Sequence, residues 1–261
     1  MKNTKFGPSL IALFGMTITG HSATISWESS VQMFQGSTTE SFVSTTGTTA
    51  VAINGSDDVA NGNVTVNGVA FTQTIQNNLI TGPGATVIVN GGNLAGTAFG
   101  DGEFNSNAAI FHMIRGAIYN TTSVEFGGLT VGNDYQIQLF VNDARGNRSV
   151  NFIVGVGDGT GSGTAAASLL LNNSPADGSA PTLPQTDAGD SIIGTFTADA
   201  TTQSFDVYGT NSGDVANLAT GDSRAHVNAL QLRDLGSAAI PEPSSALLAL
   251  VGLAFGLRRR R

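Results

Sequence analysis

The sequence predicts an all-β protein, with one β-sandwich or barrel domain over residues 24–236 set between two apolar ends that lie outside it. Three observations predict this. Apolar residues recur with period two in about ten short runs, the pattern of strands buried on one face. Turn formers separate the runs: there are 34 glycines, Thr, Ser and Asn fill most polar positions, and only 11% of residues are charged. Gly and Asn accept the positive φ of tight turns, and Thr suits a pleated surface. No helical patterns alternate with the runs, so a parallel α/β sheet is not indicated.

Taken in order, the chain opens with Lys2 and Lys5, an apolar stretch over 8–18, and then Gly20-His21-Ser22-Ala23. A short basic segment, an apolar segment of this length and small residues after it read as a secretory signal peptide over 1–23. Signal peptidase would cut after Ser22 or Ala23, and His21 would leave with the leader. Strand patterns then fall at 24–27, 50–53, 64–71, 86–89, 123–126, 135–141, 149–154, 192–197, 204–208 and 227–232. The run 64–71 carries Asn67-Gly68 between two strand-like halves, a strong local hairpin signal. Residues 107–119 are the one stretch with room for a helical turn, weakened by Gly116. Residues 157–190 read as a long, Gly- and Pro-rich connection with at most a short strand at 169–171.

Residues 129–140 narrow the fold. A Leu129-Thr130-Val131-Gly132 turn feeding an alternating strand led by Tyr135 resembles the corresponding strand of galactose-binding-like jelly rolls. The runs 194–199 and 227–233 resemble its closing strands. The resemblance implies a single jelly-roll domain, an architecture found in many carbohydrate-binding modules, and it transfers fold more readily than function.

The last 21 residues carry a second resemblance. Pro241-Glu242-Pro243 precedes fourteen uncharged residues, 244–257, and then Arg258, Arg259, Arg260 and Arg261. As a helix the apolar stretch spans about 21 Å, short of a hydrocarbon core of about 30 Å, a gap that snorkelling arginines and local thinning reduce. The arginines would stay cytoplasmic, which leaves the body on the far side. This order of features resembles the PEP-CTERM sorting signal of Gram-negative bacteria. It implies a transmembrane helix over 244–257 in a tail over 237–261, and an exosortase that recognises the tail and cuts near Pro241-Glu242-Pro243. Delivery to the cell surface, outer membrane or extracellular matrix would follow, often beside exopolysaccharide.

Charge and residue types exclude several functions. From Ala23 to Ile240 five arginines face eighteen acidic residues, about −13 with histidine neutral, a field that repels phosphate backbones. Nucleic acid is therefore not an expected partner. With no cysteine there is no disulfide, thiolate nucleophile or Cys metal site. His112 and His226 stand apart with no metal-binding spacing, and no Gly-x-Ser-x-Gly elbow occurs in the body. Asp101 and Glu103 read as a turn rather than a catalytic pair. The glycines around Asp158 read as a loop rather than a calcium repeat or phosphate cradle.

Asp143, Arg145 and Arg148, after the longest strand, are the first choice for a ligand contact, because Arg and carboxylates both bond sugar hydroxyls. The same residues also read as a turn in which Asp143 accepts backbone N–H groups and pairs with Arg148. No cofactor is expected; a structural Ca²⁺ is compatible with the acidic loops, although the sequence names no ligands for it. The resulting expectation is a non-enzymatic surface or matrix protein making weak contacts with polysaccharide. The alternatives are an extracellular carbohydrate-active hydrolase or lyase, and a structural component that associates with itself. Trp27, Tyr119, Tyr135 and Tyr208 discriminate: exposed beside a groove they favour sugar binding, buried they favour a scaffold.

Overall fold

The computed structural model of the protein describes residues 22–34, 40–55, 62–95, 108–143, 152–171, 187–212 and 214–237. Within them the chain forms β1 (Ser26–Trp27), β2 (Val31–Phe34), β3 (Thr48–Gly55), β4 (Val64–Val66), β5 (Val69–Thr74), β6 (Ile80–Thr81) and β7 (Thr86–Ala95). A short α-helix, α1 (Ala108–Ile114), precedes β8 (Ala117–Gly127) and β9 (Asn133–Val141), and a 3₁₀ turn at Val215–Asn217 follows later in the chain. The remainder is β10 (Phe152–Gly157), β11 (Ala165–Leu171), β12 (Asp187–Thr197), β13 (Thr202–Thr210), β14 (Ala219–Thr220), β15 (His226–Val227) and β16 (Ala229–Ser237). The all-β expectation holds. The helical turn sits where its pattern lay, and Gly116 is the break between α1 and β8 rather than a weak point inside a longer helix.

Two sheets face each other. The first runs β1-β12-β9-β16-β3-β5-β4, with β2 also on β12; the second runs β11-β10-β13-β8-β7-β6, with β14 on β13 and β15 on β8. Every pairing is antiparallel except β3 with β5. Alternation along each strand decides what lies between the sheets. From β9, Tyr135, Ile137, Leu139 and Val141 point inward, and they meet Val124 and Phe126 of β8 and Phe205 and Val207 of β13. Each large side chain so buried contributes roughly 1.5–3 kcal/mol by leaving water.

The opposite face of the first sheet is also covered. Ile110, Met113 and Ile114 of α1 pack with Val66, Phe71 and Phe140 into a second, smaller core. The protein therefore has three layers, and the first sheet is buried on both faces at its centre.

Two local expectations come out differently. Asn67 (φ 48) and Gly68 (φ 75) close the β4–β5 hairpin as the dipeptide predicts, with both central residues left-handed. The long connection at 157–190, by contrast, turns back early. Its first residues are a tight hairpin, and β11 begins at Ala165 and pairs along the whole of β10. The short strand expected at 169–171 is its last part; Ala165 to Ser168 hid the rest, because Ala and Ser lack the β-branched signature that marks strands by composition.

Candidate functional site

A groove of about 380 Å³ lies where β3 and β5 part. Their parallel ladder holds only from Ile53 opposite Thr72 to Gly55 opposite Thr74. Before it, the turn at Gly82–Ala85 wedges against β3: the amides of Gly84 (3.0 Å) and Ala85 (3.2 Å) both donate to the Ala50 carbonyl. Only glycine fits at 82, since a Cβ there would lie 2.3 Å from the Ala50 carbonyl oxygen. The groove walls carry Thr49, Thr72 and Thr81 beside Val51, Ala70 and Pro83. Hydroxyls over an apolar floor can exchange hydrogen bonds with a neutral polyol; the lining holds no carboxylate or imidazole to move a proton. The Gly82-Pro83-Gly84 punctuation is visible in the sequence, but only tertiary contact shows that this turn splits two strands.

A second, smaller cleft of about 40 Å³ lies at the β10–β11 hairpin, lined by Asp158, Ser162, Asp206 and Tyr208. Gly159, Gly161 and Gly163 all adopt positive φ there, which explains the glycine alternation. The Asp158 carboxylate accepts the Thr160 hydroxyl at 2.6 Å and the Thr160 amide at 2.9 Å, and these bonds hold it below its ordinary pKa. Tyr208 donates to Asp206 at 3.3 Å; burial first, then the Asp206 charge, pushes the phenol up to about 12. Among the described residues no three His, Asp or Glu side chains converge as metal ligands.

At the end of β9 the structure places Asp143 in the interior, 3% exposed. Arg145 and Arg148 lie outside the described residues, as do Pro241, Glu242, Pro243, the apolar stretch 244–257 and Arg258–261. Beside Asp143, the Asn228 side chain ties three segments together. Its amide donates to the carbonyls of Ile114 (2.8 Å) and Gly116 (3.0 Å), and its oxygen accepts the Asn142 amide (2.7 Å). His226 is 1% exposed on β15, with Nδ1 2.6 Å from the Arg224 carbonyl. His112, in the apolar run 110–114, is half-buried on α1.

The outer face of the first sheet carries a polar ladder that sequence reasoning missed. Gln138 and Gln231 bond to each other at 2.8 Å and to the main chain of Phe42 and Ser44. Arg233, 4% exposed, uses all five of its N–H donors: on the carbonyls of Thr45, Thr46 and Gly47, on the Thr49 hydroxyl and on the Gln231 amide oxygen. Burial lowers its pKa, yet the charge sits among carbonyl dipoles. Strand alternation marks Gln136, Gln138, Gln231 and Arg233 as one face, but not that the segment 40–47 covers it.

Of the four aromatics that bear on sugar binding, Tyr135 (1%) and Tyr208 (3%) are buried, and Trp27 and Tyr119 are half-buried. Trp27 meets the Phe205 ring edge-on at 5.3 Å and donates its indole N–H to the Gly157 carbonyl.

No family model matches the chain, and no curated protein does. Two solved structures of Bacteroides uniformis β-glucuronidase, one of them β-glucuronidase 2 covalently bound to cyclophellitol-6-carboxylate aziridine, align with it at 16% identity and a TM-score of 0.40. The alignments cover 70% of this chain and only 17% and 18% of those chains. The chain thus spans under a fifth of their length, and at this similarity they transfer neither substrate nor activity.

Proposed function

We propose that this chain is an exported, non-enzymatic surface or matrix protein, a jelly-roll scaffold delivered by its PEP-type tail through an exosortase. The observation that supports a scaffold is where its binding-capable side chains go. Tyr135 and Tyr208 are buried, Trp27 is half-buried against Phe205, and Arg233, Gln138, Gln231 and Asn228 spend their polar atoms joining segments of the fold. The apolar ends and Pro241-Glu242-Pro243 supply the address.

The test uses the full chain, tagged in the body, in a Gram-negative host that carries an exosortase. The tag should be reached by antibody on intact cells. Replacing Pro241, Glu242 and Pro243 by Ala should leave the protein in the inner membrane. A tag found inside intact cells on a chain with its leader uncut sinks the reading.

The β3–β5 groove favours one addition, weak contact with a neutral polysaccharide: three threonine hydroxyls line it, and the body's charge disfavours anionic glycans. Glycan-array binding of the exported protein, with and without Ca²⁺, tests this. Filling the groove with Ala70→Trp should abolish any signal.

A further inference from the structure

The first described residues form a clasp across both sheets. Ser26 and Trp27 pair with Thr195 and Gly194 at the edge of the first sheet. The Ile25 amide donates to the Asp158 carbonyl at 2.7 Å and the Trp27 indole to the Gly157 carbonyl at 2.9 Å, both on the hairpin of the second sheet. Just ahead of them the Ala23 carbonyl accepts the side-chain amide of Gln203 at 2.9 Å.

Gln203 is 1% exposed, and its amide orientation is fixed because Nε2 also donates to the Ser204 carbonyl at 3.2 Å. That orientation leaves Gln203 Oε1 buried with no hydrogen-bond donor. A buried acceptor left this way costs about 1–3 kcal/mol. The residue next to it, Ala23, has its nitrogen only two bonds from the carbonyl carbon that Gln203 already holds. While that nitrogen remains in the Ser22–Ala23 peptide it has a single N–H; as a chain terminus it would be an ammonium with three.

We propose that the export peptidase cuts the Ser22–Ala23 bond and that the α-ammonium so released docks on Gln203 Oε1. This rests on the export reading above and selects one of its two cleavage positions. In the cut, water adds to the Ser22 carbonyl carbon, the C–N bond breaks, Ser22 leaves as a carboxylate, and the Ala23 nitrogen is protonated to the ammonium. The sequence supports the same bond independently. Cleavage there puts Gly20 and Ser22 at the two positions that require small residues, whereas cleavage one residue later puts His21 at the first of them. The later cut would also remove the Ala23 carbonyl and leave both ends of the Gln203 amide short of partners.

The composition provides a clean probe. Both lysines, Lys2 and Lys5, lie in the leader, so the processed chain has a single primary amine, its own terminus. The full chain is exported from a Gram-negative host, purified, and its intact mass and first residues determined. The expected protein begins at Ala23 and takes one label from an amine-reactive ester. That label should add about tenfold more slowly than in Gln203→Ala, where the acceptor is gone. Gln203→Glu keeps an acceptor oxygen and should stay slow. A protein beginning at Thr24, or equal labelling rates in all three, overturns the proposal. An uncut chain that takes three labels overturns the export reading instead.

Discussion

At the scale of single residues, two side chains are committed to opposite ends of the chemistry of burial. Tyr208 is held neutral: its phenol is raised to about 12 by burial and by Asp206, so the folded state keeps a proton that the unfolded chain releases near 10. Its contribution to stability is therefore complete below about pH 10 and is lost as pH rises toward 12. Urea midpoints followed through that range should fall more steeply for the natural protein than for Tyr208→Phe, and equal slopes would refute the assignment. Arg233 is held charged without a carboxylate partner among its five bonds. A lysine offers three donors in place of a planar fork of five. Arg233→Lys should therefore cost about 3 kcal/mol in urea unfolding with little change in the denaturant slope. The sequence shows both residues as members of alternating runs; it does not show their partners, which are 184 or more positions away for the Thr45–Thr49 contacts of Arg233.

At the scale of elements, what could be read directly was whatever is set by neighbouring residues. Asn67-Gly68 specifies its own turn because positive φ is a property of those two side chains, and Tyr135 to Val141 specifies an inward face by period two. What could not be read depends on distant chain. The first part of β11, before the short strand read at 169–171, is visible only through its pairing with β10, and the β3–β5 groove exists only because the Gly82–Ala85 turn reaches Ala50. The clasp is the same kind of element. Two residues of β1 are too short to hold alone, and they persist because the Trp27 indole lies across Gly194, where a Cβ would meet the ring at 2.5 Å. Gly194→Ala should push Trp27 off Phe205 and release β1. The expected readout is a red-shifted tryptophan emission, assignable because the protein has one Trp, with a loss of about 1–3 kcal/mol. Unchanged emission would show that the strand edge, and not the glycine, seats the indole.

At the scale of the whole molecule, the order of strands sets when the fold can close. The last strand among the described residues, β16, sits in the middle of the first sheet: it pairs with β9 along its whole length on one side and with β3 on the other. The first strand likewise needs β12. Pairings this distant in sequence bear their loop-closure entropy before any contact rewards it, so folding is slow and waits for the final strand. A chain threaded across a membrane unfolded would complete its sandwich only once residues up to Ser237 had crossed. The address proposed for the tail begins four residues later, at Pro241.

This arrangement makes a sharp prediction about two truncations only twelve residues apart. A chain ended at Ile240 keeps β16 and both of its ladders, and it should unfold in urea at the same midpoint as the body of the full protein. A chain ended at Asn228 loses Leu230 and Leu232 from the core and every bond of Arg233. With β9 and β3 left unbridged, it should show no cooperative transition and no near-ultraviolet dichroism. If the shorter chain folds, β16 is an addition to the sheet and the register is wrong. If the longer one fails to fold, the tail is part of the domain and cannot be a removable address.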